Sequence, residues 1–440
     1  MQYGTLEDEL TSSACSESSI TYPTSRTWAS AVVLTDLNPG TTYYYKIESS
    51  NSSVEHFLSP RAAGDKGAFS FNAVIDLGVY GADGYTIAQD KHAKRDMIPT
   101  IEPSLNHTTI GRLATTIDDY ELIVHPGDLG YADDWLIKPK NLLDGTDAYA
   151  AILEQFFGQL APIASRKPYM VGPGNHEAAC QEIPLASGLC AVGQKNFTDF
   201  ANRYAELMPT AFESRSSDEK ARVNANTAKM LANPPFWYSF EYGMLHFVML
   251  DTETDFAKAP SGPGGSAGLN GGPFGKTATQ QLDFLAADLA SVDRDVTPWV
   301  VVGGHRPWYT TGSGGGCGPC QDAFEPLLYK YGVDLAIFGH VHNSQRVKPV
   351  YNNVADPSGY QDPAAPLYIV AGGAGNIEGL SSAAVKTEFH EFAYDADFSY
   401  ARVSLLDRNQ LQVEFIRSTT GEILDQATLY KSHNERFVVQ

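Results

Sequence analysis

The chain has 440 residues, 43% of them hydrophobic, which is long enough for two or three domains with ordinary buried cores. No run of 18 apolar residues appears, which excludes a transmembrane helix. With 52 acidic against 31 basic residues and a net charge of −21, the chain has no general attraction for nucleic acid or anionic membranes, and any phosphate site must make its own positive charge locally.

Residues 1–62 read as a small β domain. A strand is expected over residues 29–34, then the turn Asn38-Pro39-Gly40, then a second strand over residues 41–47 paired antiparallel to the first. An immunoglobulin-like sandwich needs roughly 100 residues. The expectation is therefore an incomplete, fibronectin-like domain whose first strands lie upstream of Met1. Met1 is followed by polar and acidic residues, so no signal peptide opens the sequence. Together these favour a chain that begins inside a processed protein.

Residues 61–67 form a polar linker, and a larger domain is expected over residues 68–365. Strand-like runs recur at residues 69–75, 122–125, 169–171, 245–250, 299–302 and 335–338. Residues 148–163 and 277–292 place apolar positions at helical spacing. This alternation predicts α/β layering, with ligands at strand C-termini. Residues 261–275 are glycine-rich and are expected to be a mobile surface loop. Residues 366–435 are β-rich and complete the domain, with a hairpin of residues 401–405 and 411–415 around Asp407-Arg408-Asn409.

Of the five cysteines, Cys180 and Cys190 bracket a short loop, and Cys317 and Cys320 form Cys-Gly-Pro-Cys. The latter spacing admits redox or zinc chemistry, but no second zinc-type pair or βαβ redox context accompanies it. Two structural disulfides in an oxidising compartment are expected, leaving Cys15 unpaired. Sequons at Asn51, Asn106 and Asn196 fit secretion.

Five motifs carry the chemistry: Asp76-Leu77-Gly78, Gly127-Asp128-Leu129-Gly130-Tyr131, Gly174-Asn175-His176-Glu177, Val302-Gly303-Gly304-His305 and Gly339-His340-Val341-His342. Four of them follow an apolar run, as when a sheet delivers ligands to one edge. Asp76 and Asp128 are hard oxygen donors. A tyrosine titrates near ~10, so only a strongly Lewis-acidic ion such as Fe(III) would hold Tyr131 ionised at low pH. Asn175, His305 and His340 are neutral donors that suit a divalent ion such as Zn, Fe or Mn, and His342 completes the first set. A trivalent and a divalent cation against three anionic side chains and a bridging hydroxide leave a net charge of about +1, which attracts phosphate. Two such ions ~3.5–4 Å apart can clamp the attacking and leaving oxygens of an in-line displacement.

The ordered motifs, with a tyrosine three residues after the second aspartate, resemble the purple acid phosphatases of the metallophosphoesterase superfamily, of the large fungal or plant type. The resemblance covers residues 69–431, and the N-terminal part is similar to the family's fibronectin-like domain. It implies an α/β fold with a β-sandwich core flanked by helices. It also implies that Asp76, Asp128, Tyr131 and His342 hold Fe(III), with Asp128 bridging, and that Asn175, His305 and His340 hold the divalent metal. His176 would orient the phosphate and protonate the leaving alkoxide. The implied activity is that of a secreted acid phosphatase on small-molecule phosphomonoesters, phytate among them, through a metal-activated hydroxide. A phosphodiesterase on the same core is the alternative, and a non-catalytic binding protein is disfavoured by the intact donor set. Two positions depart from the family pattern. Ile75 replaces a common glycine, and Gly314 and Gly315 stand where some members carry a histidine pair. Arg306, Trp308 and Tyr309 either line the pocket or pack the loop.

Overall fold

The computed structural model describes residues 1–50, 52–80, 108–137, 147–179, 190–210, 212–311, 316–383 and 387–433. At the N-terminus lie β1 (Gln2–Gly4), β2 (Ser12–Ser13), β3 (Ser19–Ile20), β4 (Ala29–Ser30), β5 (Thr42–Lys46) and β6 (Glu55–Leu58). The sheet order is β2-β1-β5-β6, and β3 pairs with β4 alone. This corrects the expected pairing of residues 29–34 with 41–47. The Asn38 N–H donates to the Tyr43 hydroxyl at 3.0 Å, and the Ser59 hydroxyl donates to the Asn38 carbonyl at 2.6 Å. The Asn-Pro-Gly segment is thus folded onto β5 and the end of β6. Between Ser30 and that turn no strand forms, and Val33 is exposed, with no apolar face to hold it.

The core strands follow in order: β7 (Phe69–Ala73), β8 (Leu122–Pro126), β9 (Tyr169–Gly172), β10 (Tyr238–Tyr242), β11 (Leu245–Met249), β12 (Trp299–Gly303), β13 (Leu335–Phe338), β14 (Ser344–Val347), β15 (Val350–Tyr351), β16 (Val354–Ala355), β17 (Leu367–Ala371), β18 (His390–Tyr394), β19 (Ser399–Leu405), β20 (Gln410–Arg417) and β21 (Ile423–Tyr430). One sheet has the order β21-β20-β19-β7-β8-β9 and the other β10-β11-β12-β13-β17-β14-β18. Each contains a parallel set, β7-β8-β9 in the first and β11-β12-β13-β17 in the second. Residues of β8, β11, β12 and β13 are buried on both faces, which is why those segments read as continuous apolar runs. The two sheets pack face to face. Phe71 of β7 meets Phe247 of β11 edge-on at 6.3 Å, and Phe392 of β18 stacks on Phe415 of β20 at 5.2 Å.

The expected helices are present at Asp147–Ala164 and Gln280–Leu289, and the hairpin pairs Ala401 with Phe415 and Leu405 with Leu411. The glycine-rich segment is tied down at several points. The Gly271 N–H donates to the Ser261 carbonyl at 2.6 Å, and the N–H groups of Phe274 and Gly275 donate to Asp255 at 3.0 and 2.7 Å. Cys317 and Cys320 are bridged, and Cys15 is a free, exposed thiol. Cys190 is disulfide-bonded; Cys180, its expected partner, lies outside the described residues, as do Asn51 and Asn106 of the sequons. Asn196 is exposed.

Candidate metal centre

The first donor residue of each of the five motifs lies just past the C-terminal end of a parallel strand. Asp76 follows β7, Asp128 follows β8, Asn175 follows β9, His305 follows β12 and His340 follows β13. The two parallel sets end on the same side, so side chains up to 266 positions apart in sequence, from Asp76 to His342, meet at one edge. Leaving a strand this abruptly strains the backbone. Asp76, Asp128, Tyr131 and His340 all have φ between 51° and 63°, a region that costs a non-glycine residue on the order of 1 kcal/mol. Gly127 has φ 97°, and a Cβ there would fall 2.7 Å from His305 Nδ1, so only glycine fits.

Hydrogen bonds hold these turns in place. Glu177 accepts from the backbone N–H groups of Gly174 (2.9 Å), Asp128 (2.9 Å) and Leu129 (2.8 Å), which locks the third motif to the second. Asp76 Oδ2 accepts from the His340 N–H at 2.8 Å, and Asp128 Oδ1 from the His176 N–H at 2.9 Å. Ile75 is fully buried against Gly339, where a Cβ would lie 2.1 Å from Ile75 Cγ2.

Two groups of donors form around Asp128. In the first, the Tyr131 hydroxyl lies 3.0 Å from Asp76 Oδ1, 3.3 Å from Asp128 Oδ2 and 2.9 Å from His342 Nε2. In the second, His305 Nε2 lies 3.0 Å from Asp128 Oδ2 and 3.0 Å from Asn175 Oδ1, with the His340 ring 5.1 Å from that of His305. Asp128, His305 and His340 offer donor atoms within 4.8 Å of one another. In Gly-His-Val-His, the two histidines diverge on a loop, His340 to the second group and His342 to the first.

The electrostatics of the protein alone are unbalanced. Burial drives the Asp76 carboxyl well above the usual carboxylate range; His305 pulls it down and Asp128 adds to the rise. Burial opposes the charge of Asp128 as well, but His305 and His176 hold it well below that range. Burial, then Asp76 and Asp128, push the Tyr131 phenol well above its ordinary value. Burial brings His342 down to about 4, and burial with Arg306 holds His340 well below the ordinary imidazole range. Among the described residues no lysine or arginine bonds to Asp76, Asp128 or Tyr131. Burial opposes a charged His305 too, but Asp128 outweighs it and raises the ring to about 9. This imidazole therefore stands in for a cation beside Asp128, while the lowered His340 and His342 can act as neutral donors. Such a set fits cations.

The comparisons with known proteins point to one family. Residues 105–344 match the calcineurin-like phosphoesterase family, residues 1–59 the purple acid phosphatase N-terminal domain, and residues 365–426 the iron/zinc purple acid phosphatase-like protein C family. The chain is 61% identical, over its whole length, to acid phosphatase A of Cryphonectria parasitica and spans 88% of that protein. The chain belongs to the purple acid phosphatase family. An acid phosphatase of Aspergillus ficuum is 27% identical over 91% of this chain and 75% of its own. The purple acid phosphatase PPD1 from yellow lupin seeds superposes on 91% of this chain and 62% of its own, with a TM-score of 0.61 at 23% identity, and so shares the fold.

Two residues of this purple acid phosphatase, Asp133 and Glu253, escape motif reading. Asp133, five positions beyond Asp128 in the turn Ala132–Ile137, is buried and lies 2.9 Å from His176 Nδ1. That leaves His176 Nε2 on the Asp128 side, 3.8 Å from Oδ2. The acidic pair directly after Tyr131-Ala132 was the available signal. Glu253 and Arg306 form the other feature: Arg306 Nε donates to both Glu253 oxygens at 2.8 and 2.9 Å. Trp308 and Tyr309 pack the interior instead, Trp308 against Phe338 at 4.7 Å and Tyr309 against Tyr368 at 5.0 Å. Of the three residues after His305 singled out above, Arg306 alone meets a candidate ligand. Gly314 and Gly315 lie outside the described residues.

Proposed function

We propose that this purple acid phosphatase hydrolyses small-molecule phosphomonoesters under acid conditions. Asp76, Asp128, Tyr131 and His342 would hold Fe(III). Asn175, His305 and His340, with Asp128 shared, would hold a divalent Zn, Fe or Mn. The observation that supports this reading is the position of Asp128 Oδ2, within 3.3 Å of the Tyr131 hydroxyl on one side and 3.0 Å of His305 Nε2 on the other. When bound, such a pair supplies Lewis acidity and activates water for attack on phosphorus.

The chain's own part is positional and protonic. Asp133 accepts from His176 Nδ1 and fixes the orientation of the ring. His176 Nε2–H, on the Asp128 side, can then donate a proton to the departing alkoxide. The His176 ring lies 4.0 Å from that of Tyr131, which restricts its swing. Burial of Asp76, Asp128, Asn175 and His305 excludes bulk water from the donor atoms. The Cys317–Cys320 bridge supports a secreted, oxidising location. Phytate is a candidate ester within this class.

A diester reading has one specific support: a Hordeum vulgare relative, 27% identical over 76% of this chain, is named a nucleotide pyrophosphatase/phosphodiesterase. Side-by-side assay of p-nitrophenyl phosphate and bis-p-nitrophenyl phosphate, with elemental analysis of the same sample, tests both. Preferred monoester turnover at two metal ions per chain is expected. Diester preference would shift the substrate class, and turnover without metal would overturn the site.

A further inference from the structure

Arg306 is held at four points. Its backbone N–H and that of His305 both donate to Thr252 Oγ1, at 2.7 and 3.0 Å. Its Nε donates to both oxygens of Glu253, whose side chain is fully buried. Its Nη1 lies 2.8 Å from His340 Nε2. The Arg306 side chain remains 12% exposed, so it is fixed without being wholly enclosed.

The contact with His340 carries the argument. A guanidinium has donors and no acceptor, so His340 Nε2 must be offering its lone pair. A neutral imidazole has one such lone pair. If His340 ligates through Nε2, the metal takes that pair. If it ligates through Nδ1, the ring proton moves to Nε2, which can then accept nothing. On either route Arg306 Nη1 loses its acceptor when His340 ligates, while Glu253 keeps the guanidinium where it is. A buried, charged donor without a partner is costly, and it faces the second donor group.

We infer that Arg306 is a phosphate-binding residue, whose Nη1, released from His340 by metal ligation, donates to a phosphoryl oxygen of the substrate. This rests on the function proposed above. The chemistry matches: a planar, permanently charged guanidinium pairs with a tetrahedral oxyanion, and it supplies positive charge in a chain of net charge −21. The sequence offers glycines, not imidazoles, nine and ten residues beyond His305, so this cation is provided one residue after that ligand instead.

The test uses metal-loaded wild type, Arg306→Gln and Arg306→Lys. Metal content is measured by elemental analysis, orthophosphate affinity by calorimetry, and KM and kcat with p-nitrophenyl phosphate. Arg306→Gln should keep its metals, weaken orthophosphate binding and raise KM by about 10- to 100-fold, with a smaller change in kcat. Arg306→Lys should recover part of the loss. Unchanged orthophosphate affinity in Arg306→Gln overturns the inference, and so does a deficit that simply tracks lost metal. Should Arg306→Gln fail to fold, Glu253→Gln loosens the guanidinium without removing it: weaker orthophosphate binding with metals retained supports the role, and unchanged binding refutes it. A wild type that binds neither metal nor orthophosphate would instead refute the underlying function.

Discussion

The two halves of the site each draw on both sheets but carry different charge, because the anionic donors and the imidazoles come from different sheets. The anionic donors Asp76, Asp128 and Tyr131 all follow strands of the six-stranded sheet, while the three imidazoles His305, His340 and His342 follow strands of the seven-stranded one. Around Tyr131, two carboxylates and a phenol converge with the His342 imidazole, and among the described residues no lysine or arginine bonds to them. Around His305, the donors besides Asp128 are an amide and imidazoles, and Arg306 stands beside them. One architecture, loops at strand ends, thus produces a harder and a softer half, joined at Asp128. A trivalent ion suits the first and a divalent ion the second.

The joint is where this contrast is most easily broken. Asp128→Asn replaces the shared carboxylate by a neutral group of the same shape. It should release metal from both halves together and lower kcat by about 10³-fold or more, the worth of several kcal/mol of charge stabilisation. Elemental analysis beside steady-state kinetics reads this. Retention of one full equivalent of metal would show that the halves are independent and that Asp128 is not shared.

A smaller effect should fall on one half alone. Tyr131→Phe removes a donor from the Asp76 side and leaves Asn175, His305 and His340 untouched. The visible absorption that family resemblance assigns to a tyrosinate–Fe(III) pair should disappear, with divalent metal retained and activity reduced by about 10- to 100-fold. A variant as coloured as wild type would remove Tyr131 from the ligand set.

Much of this arrangement was readable before any coordinates. Parallel strands buried on both faces leave unbroken apolar runs, and a run ending in glycine beside Asp, Asn or His marks where a chain turns at a sheet edge. Four of the five motifs that carry Asp76, Asp128, Asn175, His305 and His340 were placed that way. What the runs could not carry was contact across turns. Asp133 sits in one short turn with no periodicity to distinguish its carboxylate from Asp134. Glu253 finds Arg306 only because β11 and β12 are neighbours. The pairing of the N-terminal strands failed for a related reason. Strands of two to five residues have little register of their own, and side chains such as Tyr22 on Asp199 and Tyr45 on the Ser165 carbonyl fix this part against the larger body. The tethered glycine-rich segment likewise depends on Asp255, which composition does not reveal.

A buried carboxylate that does not face a metal gives the smallest effect and a control for the rest. In the interior, His246 Nε2 lies 2.8 Å from Asp288 Oδ2, both side chains fully buried, and Ser239 donates to the other Asp288 oxygen. Burial works against a charged His246, but Asp288, then Glu241, outweigh it and raise the group to about 9. A histidine whose folded value lies above its unfolded value of about 6.5 adds stability that is complete below pH 6.5 and is lost as pH climbs through 9. The contribution is a few kcal/mol at most. Thermal unfolding of wild type between pH 5 and 9.5 should show a falling midpoint above pH 6.5, and His246→Gln should be less stable at pH 5 and flatter across the range. Because no metal enters this pair, chelation should leave the slope unchanged. A slope that vanishes with the metals would transfer the pH dependence to the Asp128 site, and the distinction between metal-balanced and protein-balanced carboxylates in this fold would fail.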